Sequence, residues 1–224
     1  AGDYAAAEAL ANEPLISRPV KQMPYQPLGN LWLEFHRLEG ISDYRREQDL
    51  DAAIARTSFR AGAGLHRREV FISPVDQCLV LRYTVEDGEP MGGFIRTANE
   101  HATSTTATDD GWLVSGHNVS RDGVPGKLRF AFRVQVRHVG GKLRINTDHI
   151  AFDGVRELEL RLVAATSYRA FDDVGGDPEA ITAAQLSKAA GRSAAQLRGD
   201  HLAEHQRLYR RMRLDLGRTV AADK

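Results

Sequence analysis

Along most of this chain apolar residues recur with a period of two. The cleanest run is Leu128-Arg129-Phe130-Ala131-Phe132-Arg133-Val134-Gln135-Val136-Arg137. Its even positions are all apolar and its odd positions are expected to be wet, which specifies a strand with one face on a core. The same alternation predicts strands over 31–36, 49–61, 65–73, 78–86, 92–98, 112–118, 127–138, 143–152 and 156–166. In the first of these, Leu31, Leu33 and Phe35 share one face and Trp32 lies on the other. Turn signals separate the strands at Asp87-Gly88, Asp122-Gly123, Gly140-Gly141 and Asp153-Gly154. Antiparallel strands joined by short turns, with no helix between them, predict a mainly β fold of sandwich type.

The period changes at the two ends. Residues 3–12 are rich in Ala and Leu and predict a short helix, which Pro14 bars from continuing. A loop with prolines at 14, 19, 24 and 27 leads to the first strand. After Arg169, Asp177-Pro178 supplies an aspartate cap and a first-turn proline. Helices are predicted over 178–190 and 193–212, followed by the short alternating piece Arg213–Gly217. No internal repeat is present.

Composition narrows the function classes. A chain of 224 residues with 42% hydrophobic and 27% charged residues is globular in make-up and large enough for one sizeable core. Thirty basic residues offset thirty acidic ones, which argues against nucleic acid or an anionic membrane as partner. Five of the basic residues are Lys and 25 are Arg, a bias consistent with GC-rich coding and a bacterial source. Cys78 is the one cysteine, so an internal disulfide framework and a multi-cysteine zinc site are excluded. It is expected to be a small buried apolar group. There is no membrane-length apolar run and no secretion-type leader. Because the chain starts at Ala1, location stays open, with a periplasmic or secreted parent favoured over a cytoplasmic one.

The sharpest catalytic-looking motif is His201-Leu202-Ala203-Glu204-His205, the H-x-x-E-H pattern of inverted zinc peptidases. Leu197, His201, His205, Leu208 and Met212 step by four, four, three and four, so both histidines lie on an apolar helix stripe. Packing groups are the simpler reading, and no metal or cofactor is expected. Arg129, Arg133, Arg137, Arg144 and Arg161 form an arginine set without stacking aromatics; a solvated face with acidic cross-strand partners is expected for it. Asp109-Asp110 and Asp172-Asp173 sit beside glycines as turn formers. Asn118-Val119-Ser120 is a glycosylation sequon by pattern only. Trp32 and Trp112 are the aromatics able to stack on a sugar, although burial in a sandwich accounts for either.

Several segments, in order, resemble one family. Met23-Pro24-Tyr25-Gln26-Pro27-Leu28-Gly29-Asn30-Leu31 is similar to the M-P-Y-Q-P-L-G-D-L segment of glycoside hydrolase family 95, with Asn30 in place of the aspartate. Tyr44-Arg45-Arg46-Glu47-Gln48-Asp49-Leu50-Asp51 resembles its Y-R-R-E-L-D-L-D strand entry. Arg68-Glu69-Val70-Phe71-Ile72-Ser73, with Asp76-Gln77, resembles its R-E-V-F-x-S-x-x-D-Q hairpin. Ala165-Thr166-Ser167-Tyr168-Arg169 and Gly176-Asp177-Pro178 match in place, and the helix carrying His201 through Tyr209 is similar to its H-L-A-D-H-Q-x-L-F linker. The resemblance implies an antiparallel β super-sandwich over 1–170, incomplete at the front, with a short N-terminal helix. It also implies a C-terminal helical linker over 171–224, leading toward a catalytic (α/α)6 barrel that would follow Gly217. Enzymes of this family hydrolyse terminal α-L-fucosyl linkages with inversion, and their acid and base groups sit in the barrel. No catalytic residue is therefore carried over to this chain. The expected partners are that barrel and, through it, an oligosaccharide. The loops around Tyr25, Gln26, Tyr44 and Arg45 are the candidates for its pocket rim. The family's opening G-N-G-x-x-G-A-M and N-E-D-T-L-W segments are not found, so an exposed sheet edge is expected. The competing reading is a free-standing carbohydrate-binding module.

Overall fold

The computed structural model describes residues 2–12, 15, 23, 25–36, 38–99, 103–215 and 217. The prolines at 14, 19 and 24, and Leu216 of the closing piece, lie outside the described residues. After helix α1 (Tyr4–Asn12) come β1 (Asn30–Phe35), β2 (Ile41–Asp49), β3 (Ile54–Ala61), β4 (Gly64–Ser73), β5 (Cys78–Glu86) and β6 (Met91–Ala98). Then follow β7 (Thr103–Thr108), β8 (Gly111–His117), β9 (Arg129–Val139), β10 (Lys142–Ile145), β11 (Ile150–Val155) and β12 (Glu157–Thr166). Helices α2 (Pro178–Ala190) and α3 (Ala194–Tyr209) close the fold.

The strands form two antiparallel sheets. The large one has the order β2-β3-β4-β5-β12-β9-β8-β7 and the small one β1-β6-β11-β10. Tyr83, Trp112, Phe132, Val134, Leu158 and Leu160 of the large sheet meet Met91, Ile95, Ile150 and Phe152 of the small one in the main core. The expected sandwich is therefore present. A second core lies on the opposite face of the large sheet, where Ile54, Phe71, Cys78, Val80 and Val163 pack against Ala189 and Leu197 of the helices. The molecule is thus layered as small sheet, large sheet and helices.

Four strand expectations change. Within the 49–61 run only Ile54–Ala61 (β3) is a strand; Leu50–Ala53 is a turn, and before it stands an additional strand, β2, which ends at Asp49. Asp49 makes that turn by accepting a hydrogen bond from Ala52 N at 3.0 Å, and Ala53 adopts φ 50° without any glycine to signal it. The Thr-rich strand β7 has no apolar alternation because it is an exposed edge strand, paired among the described residues only with β8. The 143–152 run folds back at Asn146, whose N–H donates to His149 O at 3.0 Å, giving β10 and β11. Asp153-Gly154 is a bulge within β11, beyond which the chain crosses to the large sheet. By contrast, Gly140 and Gly141, at φ 75° and 63°, make the tight β9–β10 turn that their sequence implies. The second C-terminal helix stops at Tyr209, three residues before its expected end at 212.

Candidate functional site at the helix-covered face

The best-built polar site is the face on which the two C-terminal helices lie. Asp177 caps α2 by accepting from Glu179 N and Ala180 N, each at 3.1 Å, and Pro178 supplies the first turn. Ser193 and Gln196 form a capping box at the start of α3. Helix α2 packs on β9 and β12, and α3 on β4.

This cover changes the reading of the arginine set. The odd face of β9 is dry only in its middle: Ala131 and Gln135 are buried and Arg133 is half-buried beneath α2, whereas Arg129 and Arg137 at its ends are exposed. Arg129 donates to Gly176 O at 2.7 Å, Arg133 to Thr182 Oγ1 at 3.3 Å and Arg137 to Ala190 O at 3.3 Å. Arg161 is fully buried; it pairs with Glu159 at 2.6 Å and donates to the carbonyls of Ala189 and, at 2.9 Å, Arg192. The Ala189 carbonyl belongs to the last turn of α2, where a helix carries partial negative charge, and that of Arg192 to the connection just after it. The arginines are therefore a dock for the helix, not a solvated row. Arg144 stands apart on β10, exposed on the other sheet. Acidic cross-strand partners do occur, but on the uncovered part of the large sheet, as in Arg82–Glu157 at 2.7 Å and Arg67–Glu86 at 3.4 Å.

A second knot ties the helix–helix junction to the β4–β5 turn. Buried Asp76 accepts from Ser73 Oγ at 2.7 Å and from Arg192 Nη1 at 2.6 Å, while Arg192 Nη2 reaches Asp200 at 2.6 Å. The hydrogen bonds that Arg192 donates to Asp200 and Asp76 raise its pKa above the ordinary value. Lys188 donates to Val75 O at 2.9 Å.

The H-x-x-E-H helix is spent on the same contact. His201 is buried, with Nδ1 3.0 Å from Ile72 O and Nε2 2.8 Å from Ala52 O. Its ring lies 5.1 Å from Phe71. A neutral imidazole donates through one nitrogen and an imidazolium through both. His205 Nε2 sits 2.8 Å from Leu50 O, and its ring stacks on Tyr209 at 5.2 Å. Glu204 accepts both Arg207 Nε and Nη2, at 2.7 and 2.6 Å, and those bonds lower its pKa. Both histidines are packing groups on the sheet side of α3. Asp51 takes a two-pronged hydrogen bond from Arg210, at 2.8 and 2.6 Å, which lowers its pKa. Among the described residues no group of three His, Cys, Asp or Glu side chains is placed to hold a metal. Cys78 is buried as expected, and burial pushes its thiol up to about 11.

The rim candidates fall into two separate pairs. Tyr25 is 98% exposed, and Gln26 Oε1 accepts from Val119 N at 3.1 Å beside the β8–β9 loop. Tyr44 stacks on Phe59 at 6.3 Å, and Arg45 pairs with Glu47 at 2.6 Å in a shallow polar trench on β2–β5. With β2 and β8 six strands apart in the sheet order, the two pairs are separated by roughly 29 Å at ~4.8 Å per strand. One small pocket rim does not include all four. Sequence reasoning missed Asp76, Arg192 and the helix-anchoring role of Arg161. A mid-strand Glu-x-Arg pair, Glu159 and Arg161, was the available signal, since charges on a core-forming strand need a partner.

Comparison with known proteins places these observations. A family model described as "Glycosyl hydrolase family 65, N-terminal domain" matches residues 1–171. A protein named probable alpha-fucosidase A from Aspergillus oryzae is 22% identical over 206 residues, covering 86% of this chain and 28% of that protein. Alpha-L-fucosidase 2 of Arabidopsis thaliana is 43% identical over 61 residues, 26% of this chain and 7% of that protein. The chain therefore spans under a third of the length of these curated relatives. Among solved structures, a putative kojibiose phosphorylase from human microbiome shares the fold at TM-score 0.55 and 8% identity, covering 76% of this chain and 25% of that one.

Proposed function

The chain belongs to the family described as glycosyl hydrolase family 65, N-terminal domain, and from that membership we propose that it is the non-catalytic scaffold of a larger glycoside hydrolase. The finer assignment is an enzyme of the family 95 α-L-fucosidase type. It is supported by the ordered segments quoted above and by the α-fucosidase names of the relatives. In this reading residues 1–170 are the sandwich and 171–224 the linker that joins it to a catalytic barrel.

One observation carries the proposal. The apolar row of α3 is buried where it meets the sheet, at Leu197 and His201, and the apolar side chains near and beyond the helix's end at Tyr209 are exposed among the described residues. Leu208 is 49% exposed, Met212 85% and Leu214 77%. Exposed apolar side chains that follow directly on a buried helix face suit a further packing partner. The helix ends beside the β2–β3 turn. Of the four candidates we therefore assign Arg45 to the pocket rim, because its partner Glu47 lies on the helix side of the large sheet. Tyr44 stands next to it but is turned to Phe59 on the other face.

The test compares two polypeptides, the 224-residue chain and the same chain extended by the coding sequence that follows it. The extended protein is expected to release fucose from 4-nitrophenyl α-L-fucoside and the short chain to release none. Turnover by the short chain that disappears on substituting one of its own carboxylates sinks the scaffold reading.

A further inference from the structure

The outer face of the small sheet, on the side of the molecule away from the helices, carries an organised aromatic and charged platform. Strand alternation directs Trp32, Glu34 and His36 from the β1 side, and Phe94 and Arg96 from β6, to this outer face. Register sets Trp32 opposite Arg96 and Glu34 opposite Phe94. Phe94 is the hub: His36 and His149 meet its ring edge-on at 4.9 and 5.3 Å, and the Arg96 guanidinium lies over it at 5.2 Å. Arg96 Nε also donates to Glu34 Oε2 at 3.3 Å. Trp32 stands beside this cluster with 55% of its surface in water, whereas Trp112 is buried and donates its indole N–H to Asn146 O at 2.6 Å.

We propose that this face is a saccharide-binding platform, in which a neutral pyranoside stacks on Trp32 and directs hydroxyls to Glu34 and Arg96. A flat indole offers a rigid apolar surface that matches the C–H face of a sugar ring and is ordered at low entropic cost. Glu34 accepts hydrogen bonds and Arg96 donates them, so the pair serves adjacent hydroxyls, which are both donor and acceptor. Because the two charges neutralise each other at 3.3 Å, the site beside Trp32 favours an uncharged ligand over a phosphate or an acidic peptide. Phe94, held on both edges by histidine rings, fixes Arg96 in place, so part of the ordering is done before a ligand arrives. Nothing in the scaffold role requires these residues. The choice of a saccharide over another neutral ligand rests on the glycoside-hydrolase reading of the chain.

The two tryptophans make the test direct, because ligand at the platform perturbs Trp32 emission and leaves buried Trp112 as an internal reference. The 224-residue chain is titrated with 2′-fucosyllactose and, separately, with cellohexaose. A saturable blue shift is expected with at least one of them, at millimolar affinity. Trp32→Ala is expected to weaken that binding at least ~10-fold, read by calorimetry, because stacking is the main attraction. Arg96→Met is expected to weaken it less, with thermal unfolding of both variants close to the parent. Absence of saturable binding to both sugars, or equal affinity in Trp32→Ala, overturns the platform. So does a concentration-dependent dimer abolished by Trp32→Ala, which makes the face a protein interface instead. Failure here leaves the scaffold reading intact, since that rests on the opposite face. Fucoside turnover by the short chain overturns the scaffold without altering the platform titration.

Discussion

Charged and polar residues inside this molecule are held by specific partners. His66, buried beneath the sheets, stacks flat on Phe59 at 4.9 Å and places Nδ1 3.0 Å from the Tyr83 hydroxyl. Burial away from water lowers its pKa from the ordinary 6.5. A histidine whose folded value is depressed is easier to protonate in the unfolded chain. Its contribution is complete above the unfolded value and is lost as pH falls from there toward the folded value. Thermal unfolding of the parent chain should therefore drop more steeply from about pH 7 to about pH 5 than that of His66→Gln, which keeps a hydrogen-bonding group and loses the titration. Equal slopes in the two proteins would remove this assignment.

At the scale of elements, α2 depends on the β12 arginine beneath it. Arg161 joins Glu159 inside the second core and satisfies carbonyls at the end of α2, so it serves strand and helix together. Removing one member of a buried pair leaves the other charged and dry, at a cost of about 3–5 kcal/mol. Arg161→Ala is expected to lose that much in urea unfolding. Adding Glu159→Leu is expected to recover part of it, because the stranded carboxylate is gone while the hydrogen bonds of Arg161 to the Ala189 and Arg192 carbonyls stay lost. A single-variant loss below ~1 kcal/mol would place the helix's support elsewhere, in the Asp76–Arg192–Asp200 knot or the apolar contacts of Leu197.

For the whole molecule, the layering makes the helices part of the folded unit. The large sheet is apolar on both faces near β5 and β12, with Leu158 and Leu160 turned to the small sheet and Cys78, Val80 and Val163 turned to the helices. A chain ended after Gly176 uncovers Phe71, Val80 and Val163 and strands Arg161. It is expected to bind a hydrophobic dye strongly and to self-associate in sedimentation, where the parent chain does so less. An unchanged, dye-silent monomer would show that the sandwich is complete without its helices. The two outer faces differ: the helix side leaves Leu208, Met212 and Leu214 exposed, and the small-sheet side presents Trp32 and the Glu34–Arg96 pair to solvent.

Local pattern alone determined the β class, most strands, the start of α2 and the turn at Gly140-Gly141, because alternation, capping and positive φ are written in neighbouring residues. It also placed His201 and His205 on one helix face. What lies across from each face was decided only by tertiary structure. The odd side of β9 reads as wet because Arg133 and Arg137 are charged, yet α2, some 50 residues later, covers its middle and takes hydrogen bonds from both arginines, leaving only the ends exposed. β7 and the Leu50–Ala53 turn were illegible because an exposed edge needs no apolar alternation and an Asp49 side chain closed the turn without glycine. The rim pairs looked equivalent in sequence, but sheet order separates them by most of the width of the large sheet. Periodicity is a property of adjacent residues, whereas burial is a property of what folds back over them.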